Sequence, residues 1–517
     1  MVGTNRILGW AVAGVAALAT INPAVAQKAK DTVRVAITET FVALSEYHLP
    51  IPEANNFHRT VYSNLLGYDE YKQDFVPSLA KAWRRIDPTT LEFDLRDDVK
   101  FHNGDPFTAD DVVYMIDYLL DPKVKLRFKA RYNWIARAEK MGPHRVRIHS
   151  SEPVSIDLAL TAYRMPIFDS KVFAKQSVED QERYGQITPF GTGAYKVIEI
   201  DKNKGVKIER YDGFKGDPKY FPAPIKTIVG VPVPDRQTQI AQLITGGVDV
   251  LVGVDSDAAK EIVKNPKLGV TYLPSADIYY FALDAGATAG NKILSDARVR
   301  RAIWMAIDRD TIGKNLVAGY EVSEKLNAFC FKATIGCKYT KPVPDYNPAE
   351  AKRLLAEAGY PNGFDFKYTV DVSVKDIAEA MAGYLLKVGI RAQVDPVPIQ
   401  VYRSRRAKNE VEAWTVLYPS GTQPDSDNIL TTIFNPTLAA TYGDTQPIQD
   451  AIANGRREFD VQKRADIYAR AYDFINEQAL IMPVLSIPSI FAHAKEVGIE
   501  RDPLSASELN VSSYVWK

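Results

Sequence analysis

The sequence predicts an α/β protein built in lobes. Helix-period and strand-period segments alternate, most clearly between residues 347 and 394, and that order argues for α/β layers. The chain has 517 residues, 46% of them hydrophobic and 25% charged, an ordinary composition for a protein that buries a full core. Its length suits roughly three domains at ~150 residues each. No internal repeat, heptad array or low-complexity segment competes with that reading.

Residues 1–26 read as a secretory leader outside the fold. Arg6 precedes an apolar run from Ile7 to Ala19, and Ala24-Val25-Ala26 supplies a small-x-small cleavage site. The run is too short to span a bilayer, so cleavage is expected between Ala26 and Gln27. No cysteine adjoins that site, so no lipid anchor is expected there. Nothing later approaches the roughly eighteen apolar residues of a membrane span. The mature chain is expected to be a soluble protein outside the cytoplasm with no direct membrane insertion.

After the leader, Thr32–Ile37 reads as a first strand, followed by a loop over Phe41–Asn56 and a helix over Phe57–Leu65. Leu91–Arg96 alternates with period two, as a half-buried strand does. Asn103-Gly104 marks a tight turn, and Thr108 can cap a helix with Asp110 and Asp111 at its positive end. Val112, Val113, Ile116, Leu119 and Leu120 form that helix's buried stripe, and Asp121-Pro122 ends it. Gly191-Thr192-Gly193 is expected to be a turn into a strand through Ile200, because no third glycine and no helix follow as a phosphate loop requires. Lys226–Val233 reads as a strand, Asp235–Thr245 as a helix closed by Gly246-Gly247, and Val248–Val252 and Gly269–Leu273 as further strands. One long helix is expected over Asp296–Val317. Asn347, Pro348 and Glu350 start another that Gly359 and Pro361 close. A helix over Ile377–Val388 feeds the strand Ile390–Val394, Arg456–Gln478 is the last long helix, and the tail from Ile490 to Trp516 is mixed.

Lys+Arg and Asp+Glu both number 64, and removing Arg6 leaves 63 against 64, one net negative charge. That balance argues against nucleic acid or an anionic membrane as the main partner. The two cysteines, Cys330 and Cys337, are seven residues apart, with no histidine nearby. In an oxidising compartment a disulfide closing a surface loop is the simplest reading, with free thiols or a metal as alternatives.

Four stretches together resemble a known family. They are Val76–Trp83 followed by Phe93–Val112; Gly191–Tyr195; Asp296–Ala302 ending in Ala306–Arg309; and Tyr346–Gly363. In this order they resemble the solute-binding proteins of peptide, opine and nickel ABC importers, extracellular solute-binding family five. The resemblance implies a two-lobed periplasmic binding protein fold with a hinge and an extra inserted subdomain in the first lobe. Lobe I would comprise residues 27–75, 187–280 and 489–517, the inserted subdomain 76–186, and lobe II 281–488. It implies a monomer that traps a small-molecule or peptide ligand and delivers it to ABC permease subunits, with no cofactor and no catalysis. The Asn103-Gly104 turn and the caps at Asp110 and Asp111 are read as structural.

The segment from Ala413 to Asn428 resembles the family's ligand-loop region. Trp414 and Tyr418 are the leading pocket candidates, as flat aromatics that stack on a ligand or fill a core. In the family's peptide binders an Asp shortly after the Trp pairs with the ligand's ammonium group; here Val416 or Leu417 stands there, with Asp425 and Asp427 later. That departure brings an opine, a modified peptide or an oligosaccharide into competition with a free peptide, and leaves nickel with little support. Tyr47 and His48, after the first strand, are further candidates. So are Arg403 and Arg405, which with Arg406 could meet a carboxylate. An exported enzyme is the competing class, but no Gly-x-Ser-x-Gly elbow and no His-Glu-x-x-His motif occurs. A chaperone or chemoreceptor partner on the same fold is the third.

Overall fold

The structure is a computed structural model. It describes residues 31–38, 44–48, 52–182, 190–419, 425–435, 438–502, 504 and 510–517. The expected leader and its cleavage site lie outside these residues, as do Ser420–Pro424.

The strands are β1 (Thr32–Ile37), β2 (Leu66–Asp69), β3 (Asp74–Pro77), β4 (Ala80–Asp87), β5 (Thr90–Leu95), β6 (Ile135–Gly142), β7 (Arg145–Ser150), β8 (Tyr195–Asp201), β9 (Gly205–Arg210), β10 (Thr227–Pro232), β11 (Val250–Val252), β12 (Leu268–Leu283), β13 (Asp365–Asp371), β14 (Arg391–Val397), β15 (Ala413–Pro419), β16 (Ile481–Ala494), β17 (Val497–Ile499) and β18 (Tyr514–Trp516). The helices used below are α1 (Pro52–Val61), α2 (Ala109–Leu120), α3 (Arg236–Thr245), α4 (Ala297–Met305), α5 (Arg309–Leu316), α6 (Pro348–Glu357), α7 (Lys375–Leu386), α8 (Ile399–Ala407), α9 (Ser426–Ile433), α10 (Gln446–Gly455) and α11 (Val461–Glu477).

A ten-stranded sheet, in the order β14-β13-β15-β12-β16-β11-β1-β10-β9-β8, carries the fold. β1 lies parallel to β10, from Thr32 opposite Thr227 to Ile37 opposite Pro232. The two longest strands, β12 and β16, run through the middle of this sheet. Their antiparallel register holds from Leu268/Ala494 to Leu273/Ser489, breaks, and resumes at Asp277/Ile487. Pro274 and Pro488 stand at the break, where a missing N–H cannot extend the ladder. The Ser275 hydroxyl spans it, donating to the Ile487 carbonyl at 2.5 Å and accepting the Asp277 N–H at 3.0 Å. The sheet is thereby two halves joined by two strands, and each half has its own cores. Val33, Phe57, Phe93 and Ile228 belong to the first half's core; Phe281, Val299, Met381 and Tyr368 to the second's. These halves are lobe I and lobe II below.

A separate four-stranded sheet, in the order β4-β5-β7-β6, sits within lobe I. Buried Glu92 on β5 takes ion pairs from Arg84 and, at 2.6 Å, Arg147 on the flanking strands. The expected strand over Leu91–Arg96 is β5. The helix starts expected at Thr108 and Asn347 form: Asp111 accepts the Thr108 backbone N–H at 2.8 Å and Asn347 accepts the Glu350 N–H at 3.0 Å; Asp235, read as the first residue of its helix, is instead its cap and accepts the Thr238 N–H at 2.7 Å. Gly246, with φ of 76°, ends α3 as a left-handed cap.

Three expected helices are redrawn. The span Asp296–Val317 is two helices, α4 and α5, because Asp308 leaves the helix and accepts the Thr311 N–H at 3.0 Å as a new cap. Next to it, half-buried Arg309 donates to the Leu326 and Pro483 carbonyls at 2.9 and 2.6 Å, fixing the break. The span Arg456–Gln478 begins later, at Val461, where Asp460 caps α11; Arg456 belongs to the turn after α10. The helix placed at Phe57–Leu65 is α1, which starts at Pro52 and stops at Val61. The Gly193 N–H takes the Val61 carbonyl at 2.9 Å, and a Cβ on Gly191 or Gly193 would lie 2.0 or 2.2 Å from the Val61 or Thr60 carbonyl oxygen. The strand expected at Gly269–Leu273 is the first half of the much longer β12.

Candidate ligand cleft

Away from the two-strand connection, the lobes meet along a seam. Ser155, just after β7, donates its backbone N–H to the Arg456 carbonyl at 2.7 Å and its hydroxyl to the Gly455 carbonyl at 2.8 Å. Arg85 on β4 holds Asp157 at 2.7 Å and lays its guanidinium 4.0 Å from the Phe459 ring centre. Gln73, between β2 and β3, donates to the Lys332 carbonyl, and Ile335 packs against the lobe I core. Ser155, Arg85 and Gln73 belong to lobe I; Gly455, Arg456, Phe459, Lys332 and Ile335 to lobe II. Ligand sites favour domain interfaces, so the candidate cleft is taken to lie between hinge and seam. Closing it excludes water and strengthens polar contacts made inside.

The lobe II side is mounted on α11. Asp425 is fully buried and receives Arg464 bidentately, at 2.9 and 2.6 Å. Burial pushes its carboxyl above the usual range, and Arg464 opposes that shift. Asp427, two residues on, receives Arg456 bidentately at 2.7 and 3.0 Å. Cys330 and Cys337 form a disulfide with Cα atoms 5.9 Å apart. The loop it closes touches both lobes: the Ile335 carbonyl accepts the Ser426 N–H at 2.9 Å, while Lys332 and Ile335 face lobe I.

On the lobe I side, Tyr68 on β2 has a buried hydroxyl with no partner among the described residues. Burial, then nearby Glu70 and Asp425, push its pKa up, so it remains a neutral donor. Tyr163 donates to buried Glu70 at 3.0 Å. Burial raises the Asp157 carboxyl, against the pull of Arg85.

The sequence-predicted residues fall in three places. Trp414 and Tyr418 share one face of β15. Trp414 is fully buried, with the Arg406 guanidinium 4.2 Å from its ring centre, and Tyr418 packs 5.4 Å from Phe329. Tyr47 is in the lobe I core, its hydroxyl donating to the Pro166 carbonyl at 2.7 Å. His48 contacts the Tyr118 hydroxyl at 3.0 Å and the Lys125 carbonyl at 3.2 Å, and burial lowers its pKa. Arg405 pairs with Asp395, and Arg403 is exposed on α8. The fold does not bring these six together. It assembles instead Tyr68, Arg85, Ser155, Asp425, Phe459 and Arg464, which sequence reasoning missed apart from Asp425. Arg406, one position past Arg405, is the arginine that turns inward to Trp414. Among the described residues no group of three or more His, Cys, Asp or Glu is arranged to hold a metal.

The comparisons with known proteins agree with this architecture. The profile of the bacterial extracellular solute-binding proteins, family 5 (middle) matches residues 74–440. The glutathione-binding protein GsiB of Escherichia coli K12 is 26% identical over 489 residues, covering 91% of each chain. Among solved structures, the ABC transporter substrate-binding protein CtaP of Listeria monocytogenes superposes with a TM-score of 0.80 at 18% identity, covering 94% of this chain and 99% of that one. The dipeptide-binding protein of Pseudoalteromonas sp. SM9913, in complex with Met-Leu, superposes with a TM-score of 0.73 at 20% identity, covering 94% and 100%. These superpositions show the two-lobed binding-protein fold. The hinge, the seam and the family match lead to one conclusion: this chain belongs to the bacterial extracellular solute-binding proteins of family 5.

Proposed function

We propose that the protein is the periplasmic solute-capturing subunit of an ABC importer, closing its lobes over a short peptide or peptide-like solute and presenting it unchanged to the permease. The observation that carries this reading is the two-strand hinge at Pro274 and Pro488 facing a polar seam at Ser155 and Gly455. Such a molecule opens and closes as two rigid bodies, and it needs no nucleophile. In this reading the inserted subdomain spans 76–186, the leader is cleaved after Ala26, and the protein works as a monomer. GsiB is named for glutathione and the Pseudoalteromonas protein is solved with Met-Leu, which supports a peptide-like ligand.

We take the solute to lie between Tyr68 and the end of β15, beside Tyr418. Asp425 and Asp427 are held by Arg464 and Arg456, and Val416 or Leu417 stands where the family's peptide binders carry an acid. An ammonium group thus finds no free carboxylate at these positions. That favours a peptide recognised through its carboxylates and amides, as glutathione offers, over one held by its amino terminus.

The test is a thermal-shift screen on refolded, ligand-stripped mature protein with glutathione, Met-Leu, octopine, maltose and nickel–histidine. Ligand at about 100 times its dissociation constant stabilises by about 2.7 kcal/mol. A shift with glutathione or Met-Leu, with the peptide recovered intact, is the expected result. Shifts only with octopine, maltose or the nickel complex overturn the peptide reading; conversion of the ligand or silence across the panel overturns capture.

A further inference from the structure

The three lobe II segments that reach the seam share one support. The first is the disulfide loop, residues 330–337; the second is Asp425–Asp427 at the start of α9; the third is the turn Gly455–Phe459 after α10. Arg464 fixes the second directly through its bidentate pair with Asp425. Its Nη2 also donates to the Tyr468 hydroxyl at 3.3 Å, one helical turn along α11, and the guanidinium stands 5.1 Å from that ring's centre. The Tyr468 ring in turn carries the other two segments. A Cβ on Gly455 would lie 2.4 Å from its Cζ, and a Cβ on Gly336 would lie 2.8 Å from its Cδ2. Only glycine admits that approach, and Gly336, at φ of 78°, also needs the left-handed region. The disulfide loop and α9 are themselves joined, by the Ser426 N–H to the Ile335 carbonyl at 2.9 Å.

The disulfide loop and the Gly455–Phe459 turn contact lobe I directly. Lys332 and Ile335 meet Gln73 and the lobe I core, the Gly455 and Arg456 carbonyls meet Ser155, and Phe459 meets Arg85. The third segment reaches lobe I only electrostatically: the Asp425 carboxylate adds to the upward push on the Tyr68 hydroxyl. We infer that Arg464 and Tyr468 are a positioning node that holds all three segments in one arrangement, so that they meet lobe I as a unit. Neither residue is required to touch the solute. The node converts three separate loops into one rigid jaw, which makes closure all-or-none. The inference rests on the seam being the closing edge of the solute cleft, but its test uses no solute.

The test is hydrogen exchange, read by mass spectrometry, on the ligand-free mature protein and on Arg464→Lys and Gly455→Ala, with Arg405→Ala as control. Arg464→Lys keeps the charge and loses the fork geometry. Gly455→Ala disturbs only the Tyr468 contact of one segment. The node predicts that exchange over 330–337, 425–435 and 455–460 rises together, by about tenfold or more, in both variants. The lobe II strands β13 and β14 stay within about twofold of wild type in the same samples. The inference is overturned if Gly455→Ala speeds exchange only at 455–460 while the other two segments keep wild-type rates; this arm decides alone if Arg464→Lys does not fold. A failed solute screen overturns the capture reading and leaves this result intact.

Discussion

Two glycine turns, one in each lobe, meet the same packing problem and serve opposite ends. In lobe I, Gly191-Thr192-Gly193 lies against the carbonyl end of α1. His102 clamps it: its Nδ1 accepts the Gly191 N–H at 3.2 Å and its Nε2 donates to the Gly193 carbonyl at 3.0 Å. The backbone N–H and carbonyl of Gly191 and of Gly193 and both ring nitrogens of His102 are engaged within lobe I, so the turn is framework. In lobe II, Gly455 lies against the Tyr468 ring, and its carbonyl accepts from Ser155 across the seam. The first glycine lets backbone meet backbone and locks a lobe. The second lets backbone meet a side chain and leaves a carbonyl for the other lobe.

The largest break in this comparison is expected at Arg464. Arg464→Leu leaves Asp425 buried with no counter-charge, and urea unfolding should show a loss of about 3–5 kcal/mol. The framework should respond most to acid. Burial pushes His102 and His58 down to about 4 from an unfolded value of 6.5. Both are neutral in the fold, so the unfolded chain binds more protons between those values. Their stabilisation is full above pH 6.5 and is lost as the pH falls toward 4, by about 3 kcal/mol per histidine. Asp502 acts with the opposite sign: burial raises it to about 6, so its contribution is lost as the pH rises from about 4 to 6. Unfolding measured at pH 7 and pH 4.5 should show a shallower acid loss for His102→Asn and a steeper one for Asp502→Asn.

The glycines themselves sharpen the contrast. Gly193→Ala drives a Cβ into the Thr60 carbonyl, which cannot yield without moving α1, and should cost about 1–3 kcal/mol. Gly455→Ala meets the far end of a tyrosine side chain and should cost less in global stability, about 1 kcal/mol, while loosening the seam. At the small end, Arg405→Ala removes a partly exposed pair with Asp395 and should change stability by less than about 0.5 kcal/mol, read by the same unfolding curves.

The framework was legible because its signals are local. Thr108 with Asp111, Asp235 with Gly246, and Asn347 with Pro348 each settle a helix end within a few residues, and each end formed within a residue of its expected place. The Asn103-Gly104 and Gly191–Gly193 turns were read as structural, and they come together through His102, a pairing that spacing alone cannot give. The seam was illegible for the converse reason. Arg464 and Asp425 are 39 residues apart, and Arg85 and Phe459 come from different lobes. Arg456 and Phe459 also continue a helix-like run into α11, which masked the turn; only Asp460, a cap inside that run, marked it. Trp414 drew notice as a flat aromatic, but burial against Arg406 is a property of the assembled lobe rather than of β15.

Small-angle scattering of the ligand-stripped mature protein, with and without saturating glutathione, tests most directly that the lobes close over a solute. The account predicts that glutathione shrinks the radius of gyration, and that Arg85→Ala combined with Phe459→Ala weakens the shrinkage by removing the seam contact. Saturable glutathione binding with an unchanged scattering profile would contradict it, because the solute would then sit outside the cleft.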